Sequence, residues 1–205
     1  MTEGSQLDEA ARQALVDLVV RGMWRGEASP PLQALVDRGL ALSKGPIVMP
    51  SPAGSALAGE VTRLPAGSQR EQQVRSLFEA FLPINRRLRE VCTDWQRRPD
   101  GSANDHTDAG YDAAVRDHLD DVHGRVRRIL RRLGEAEPSL AHYTEDLAQA
   151  LQRLDDGDAS MLTSPLKDSY HTVWMRLHQE LLMMLGISRA EDEALEERLV
   201  SGQPG

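Results

Sequence analysis

Only one cysteine, Cys92, occurs among the 205 residues. Neither a disulfide framework nor a thiolate metal site can therefore be assembled within one chain. Lysine is almost as scarce: Lys44 and Lys167 stand alone, and arginine supplies the rest of the positive charge. Aromatic residues make up 4%, so any core must be built mainly from aliphatic side chains. No run of about eighteen apolar residues exists, which excludes an obvious membrane-spanning helix. The opening MTEGSQLDEAARQ has neither the basic nor the apolar region of a secretory signal, so the cytoplasm is the expected location, with no membrane partner. Positive charge is also in deficit. A net charge of −8 argues against general affinity for polyanions, which depends on neutralising phosphates.

What is present is helical periodicity. The spacing of Ala10, Ala14, Leu15, Leu18 and Val19 predicts a helix from Glu9 to Gly22, with Asp8 as N-cap and Gly22 as its stop. Pro30-Pro31 opens a second helix, Pro31 to Arg38, closed by Gly39. Leu40 to Leu42 and Pro46 to Met49 are short apolar runs around Ser43-Lys44-Gly45, the pattern of a small β-hairpin. Ser51 then caps a helix whose first residue is Pro52. The run LQALVDRGLALSKGPIVMPSPAGSAL, within residues 9–62, resembles the winged-helix domain of MarR-type transcriptional regulators. In that pattern a recognition helix is followed by a wing hairpin and a Thr-Pro-Ala-Gly-like cap. The resemblance implies double-stranded DNA as partner, with Gln33, Arg38 and Lys44 as the contacting residues, and homodimerisation. The chain departs from the pattern between Gly22 and Leu32, where there is little room for a complete helix-turn-helix pair.

The division read from the sequence is residues 1–66, winged-helix-like, and 67–205, a helical bundle. The expected fold class is mostly α, with the single β-hairpin in the first part. Gly59 to Ser68 is the linker. From Gln69 the residues Val74, Leu77, Phe81, Ile84, Leu88, Val91 and Trp95 repeat at three-four spacing, as core or as a dimer seam. Pro83 inside this pattern predicts a kink or two helices. Further helices are expected at Tyr111 to Leu133, Pro138 to Leu154, Asp168 to Leu185 and Arg189 to Leu199. Five arginines between Arg125 and Arg132 match the negative end of a helix dipole.

The helix from Asp168 to Leu185 carries His171, Trp174 and His178 on one stripe, so imidazoles are expected on a buried face and need polar partners. The segment NDHTDAGYDAAVRDH upstream offers them. Asn104, His106, Asp108, Tyr111, Asp112 and His118 are expected to face Asp168, Tyr170, His171, Trp174 and His178, forming a ligand-binding cluster. Three chemistries remain open for it: a structural network, a small-molecule pocket, or a metal site using Asp168/His171 and Asp120/His123. No phosphate loop or serine-nucleophile elbow accompanies these residues, no catalytic residue is assigned, and the cofactor is unknown. The resulting expectation is a cytoplasmic MarR-like regulator with a helical effector-sensing or dimerisation domain. The alternative is an enzyme or accessory protein with a His/Asp/Tyr-lined pocket and a winged helix that no longer binds DNA.

Overall fold

The computed structural model describes residues 7–201. These form eight α-helices and one three-stranded antiparallel sheet, a mostly α architecture. The chain divides into two compact units. The first contains the described residues up to Pro65 together with Gln179–Ile187, and the second contains Ala66–His178 and the residues from Ser188 onward. The last turns of one helix thus belong to the N-terminal unit.

In the first unit, α1 (Glu9–Arg21) begins where the Asp8 carboxylate accepts from the Ala11 amide at 2.7 Å, and ends at Gly22, whose φ of 76° only glycine adopts without strain. A two-residue strand β1 (Trp24–Arg25), which the sequence reading did not anticipate, precedes α2 (Pro30–Asp37). Strands β2 (Ala41–Lys44) and β3 (Ile47–Pro50) pair with Leu42 opposite Met49, and β1 joins β3 with Trp24 opposite Val48, giving the order β1-β3-β2. The turn is Gly45-Pro46, so Ser43 and Lys44 belong to β2 rather than to the turn, while Gly45, at φ 58°, supplies the left-handed turn position expected of it.

Helix α3 (Pro52–Thr62) follows, so Gly59–Thr62 are helical rather than linker. Ser51 anchors it twice: its hydroxyl donates to the Gly39 carbonyl at 2.7 Å and accepts from the Gly54 amide at 3.0 Å. Gly54 has no alternative. A Cβ there would stand 1.9 Å from the Leu40 carbonyl oxygen. Leu15, Leu18, Leu32, Leu35, Ala41, Val48 and Ala58 form the core of this unit, joined by Met183.

The second unit contains α4 (Gln69–Gln96), α5 (Ala109–Ala136), α6 (His142–Asp155), the first part of α7 (Tyr170–Leu185) and α8 (Arg189–Ser201). Helix α4 runs through Pro83 as one helix, so of the two expectations at that proline the meeting of two separate helices is not what is found. Pro83 is exposed, so the carbonyl deprived of its amide partner lies on the side open to water, and packing of Phe78, Phe81, Leu82 and Leu88 holds the helix. The periodic residues of α4 are buried within the single chain, apart from the half-buried Ile84. They are core in this structure, and that stripe is not left open as a seam. Pro138–Leu140 forms a separate 3₁₀ turn, and α6 starts at His142 rather than at the expected Pro138. No helix among the described residues is long and apolar enough to cross a membrane.

Candidate functional site

The second unit distributes the polar side chains over three clusters. The first is the loop between α4 and α5. Asn104 is buried there, its amide donating to the Trp95 carbonyl at 3.1 Å and to Asp112 Oδ1 at 2.8 Å. Asp112 Oδ2 meets His106 Nδ1 at 2.9 Å, so the Nδ1 position carries the proton. The His106 ring lies against Trp95, with centroids 4.6 Å apart. His106 itself has a φ of 58°, the one non-glycine residue with positive φ among those described. Around this centre, Asp108 caps α5 by accepting from the Gly110 and Tyr111 amides, both at 3.0 Å, and accepts from Arg98 at 3.1 Å. Those donors hold its carboxyl below the usual range, the Tyr111 amide and Arg98 foremost. Arg98 covers the Tyr111 ring at 4.8 Å, and the Tyr111 hydroxyl is shared between the Asp94 and Arg97 carbonyls, both at 2.9 Å.

The second cluster is internal. Trp174 and Asn85 are both buried, and the indole N–H donates to Asn85 Oδ1 at 2.9 Å. Phe81 stacks on Trp174 at 4.8 Å, and the buried Tyr170 hydroxyl meets His123 Nδ1 at 3.2 Å. Burial pushes the Tyr170 hydroxyl pKa up and the His123 pKa down, with Arg127 adding to the latter.

The third cluster joins α7 to α8. His178 Nε2 meets both oxygens of Asp192, at 3.2 and 3.1 Å, and the imidazole lies beside Phe78 and Phe81. His178, Asp192 and Glu196 are all buried, and Glu196 is paired with Arg89. Burial lowers the His178 pKa, an effect that Asp192 opposes.

The expected single cluster is thus replaced by separate ones. The partner of His178 is Asp192 rather than Asp108 or Asp112, which serve the α4–α5 loop. Helix α7 is buried nearly all round, Glu180 included, so the narrow stripe inferred for it is too small. His171 is only half-buried, with a pKa lowered by burial, and His118 is exposed. Asp168 is exposed and pairs with Arg176 at 2.6 Å. Among the described residues, no three His, Cys, Asp or Glu side chains gather as a metal-holding group.

Asn85 was legible in principle: it is a polar residue in the α4 repeat, four after Phe81. Asp192 and Glu196 gave no such signal, since they lie in the acidic run EDEALEE, which reads as a solvated face. In the first unit, Gln33 is exposed but donates to Asp37 at 2.8 Å, while Arg38 and Lys44 are exposed at the ends of α2 and β2.

No family model, curated protein or solved structure matches the chain.

Of the three clusters, the loop has chemistry within reach of solvent. Asp112 fixes the Nδ1–H tautomer of His106, whose side chain is 37% exposed, and this directs Nε2 to act as proton acceptor. A 470 Å³ surface groove on the same loop is lined by Arg98, Asp100, Ser102, Asp105 and Thr107 among others, and neither His106 nor Asp112 lines it. The Trp174 and His178 clusters are closed and hold helices in register.

Proposed function

We propose that the chain is a cytoplasmic transcriptional regulator of winged-helix type. Its first unit contacts double-stranded DNA, and its helical unit senses an effector or pairs two copies. The observation that carries this reading is the order of elements in the first unit: a helix, a lone strand, a helix, then a hairpin whose return strand takes the lone strand as its neighbour. The Ser51-Pro52-Ala53-Gly54 cap then seats the next helix against the turn at Gly39-Leu40. Lys44 and Arg25, exposed on strands flanking β3, supply cations for phosphate, and Gln33 and Arg38 are the polar groups that α2 offers to base edges. The test is a mobility-shift assay of the full chain on its own upstream region at low salt, where cationic contacts are strongest. A shift is expected; its absence would sink the regulator reading.

A second reading, an enzyme or accessory protein with a first unit that does not bind DNA, is favoured by two details. Only α2 lies between β1 and β2, and its Gln33 amide is engaged by Asp37, a carboxylate that would repel phosphate. The Asp112–His106 pair with its accessible ring would then be the reactive element. Replacing His106 with Gln would abolish activity under this second reading and leave DNA retardation unchanged under the first.

A further inference from the structure

The C-terminal half of α5 carries Arg125, Arg127, Arg128, Arg131 and Arg132, all exposed. Dipole matching does not account for them. That effect fades beyond the last helical turn, and α5 continues to Ala136, so its last turn holds no basic residue and contains Glu135. Ion pairing does not account for them either. Arg125 pairs with Asp121 at 2.8 Å and Arg131 with Glu135 at 3.7 Å, whereas Arg127, Arg128 and Arg132 have no acidic partner among the described residues.

At helical spacing the five guanidinium groups fan over roughly 160° of the surface, opposite the buried Val122, Val126, Leu130 and Leu133, along about 10 Å of axis. Beside them, Arg132 borders a 480 Å³ groove lined on α4 by Gln69, Gln72, Gln73, Ser76 and Leu77 and on α5 also by Glu135, the carboxylate that faces Arg131. Among the described residues, the large apolar side chains that reach the surface are Met23, Trp24, Leu42, Met49, Leu166 and Leu199, and none lies on α4 or α5.

We propose that this arginine face of α5 binds the phosphate backbone of double-stranded DNA. The choice of partner rests on the regulator reading, but the residues are independent of the wing. Protein interfaces use arginine together with aromatic and methionine contacts, and this face carries the arginines without an exposed aromatic or methionine side chain among them. Interfaces with DNA are polar and strongly positive. A guanidinium engages phosphate oxygens through two parallel N–H bonds, and Arg127, Arg128 and Arg132 are the three of the five that face no carboxylate among the described residues. The glutamine amides add neutral donors of the kind that contact phosphate and sugar. Since the chain as a whole is acidic, such binding is local and strongly salt-dependent.

The experiment measures fluorescence anisotropy of a labelled mixed-sequence DNA duplex with the full chain between about 50 and 200 mM salt, the range over which phosphate contacts change affinity steeply. The wild type is compared with the triple variant Arg127→Gln, Arg128→Gln, Arg132→Gln, with the corresponding triple Arg→Lys variant, and with Lys44→Glu. Circular dichroism confirms that each is folded. The glutamine variant should bind at least about tenfold more weakly at the lowest salt, and its slope of log affinity against log salt should fall by roughly 2–3, while the lysine variant keeps the slope. An unchanged slope in the glutamine variant, with Lys44→Glu impaired, would overturn the α5 assignment and leave the wing reading standing. Loss in the glutamine variant alone supports α5 and removes the wing. No binding by the wild type overturns both. If the glutamine variant keeps DNA but changes from dimer to monomer in light scattering, the face belongs to a second copy and the DNA assignment fails.

Discussion

Removing the His178 ring is the sharpest perturbation of the helical unit. The His178→Ala variant deletes an imidazole packed beside Phe78 and Phe81 and leaves the buried Asp192 carboxylate without its partner. A hydrogen bond to a charged group contributes about 1.5–3 kcal/mol, and loss of the ring's packing adds on the order of 1 kcal/mol, so a destabilisation of about 2.5–4 kcal/mol is expected. Urea unfolding followed by tryptophan fluorescence in a Trp24→Phe background, which leaves Trp95 and Trp174, reports on the same unit. Asp192→Ala should cost less, because it leaves a neutral ring. The double variant should be more stable than the sum of the two losses by about 1.5–3 kcal/mol, the coupling of a contacting pair. Additive losses within about 0.5 kcal/mol would refute the pairing.

The pH dependence gives a second reading of the same site. Burial lowers the folded-state pKa of His178, with Arg189 adding to it, while Asp192 and Glu196 oppose it. The unfolded chain therefore takes up its proton first. Stability is fully present above the unfolded value of about 6.5 and is lost as pH falls below it, towards the lowered folded value. His171 and His123 act in the same direction. Within that window, His178→Ala should remove up to about 1.4 kcal/mol per pH unit from the slope.

Three further outcomes are expected. Gly54→Ala should destabilise the first unit by about 1–3 kcal/mol or more, read by thermal melting, since its Cβ would collide with the Leu40 carbonyl; a neutral variant would mean that α3 can shift freely. Asn85→Ala should destabilise the second unit by about 1–3 kcal/mol in urea unfolding, because the buried Trp174 N–H loses its acceptor; an unchanged midpoint would show that another acceptor takes over. Cys92 is buried and its thiol pKa is pushed up to about 12, so a thiol-reactive dye should label it only as the helical unit unfolds; rapid labelling of the native protein would contradict that burial.

Local signals in the sequence carried far into the fold. The caps at Asp8 and Ser51, the glycine stop at Gly22 and the repeat of α4 all correspond to elements found, because each depends on residues within a turn or two. Strand β1 escaped notice because two residues show no alternation, and Pro83 misled because its local cost of about 3 kcal/mol is outweighed by packing on the opposite face. The candidate site was legible residue by residue but not as an arrangement. Asn104, His106 and Asp112 meet as a short-range loop closure, whereas His178–Asp192 and Trp174–Asn85 depend on how helices pack, which periodicity does not encode.

The return of Gln179–Ile187 to the first unit bears on how the chain is made. Met183 belongs to that unit's core, and the Leu64 amide donates to the Met184 carbonyl at 2.9 Å. A ribosome therefore releases the N-terminal segment well before the strip that completes it, with about 120 residues still to be added after Pro65. At bacterial and eukaryotic elongation rates this is a wait of roughly 6–24 s. During that interval the nascent first unit lacks a strip of its own interior, and the intervening helical segment is synthesised before the unit closes. Cutting the gene after Pro65 would make that temporary incompleteness permanent.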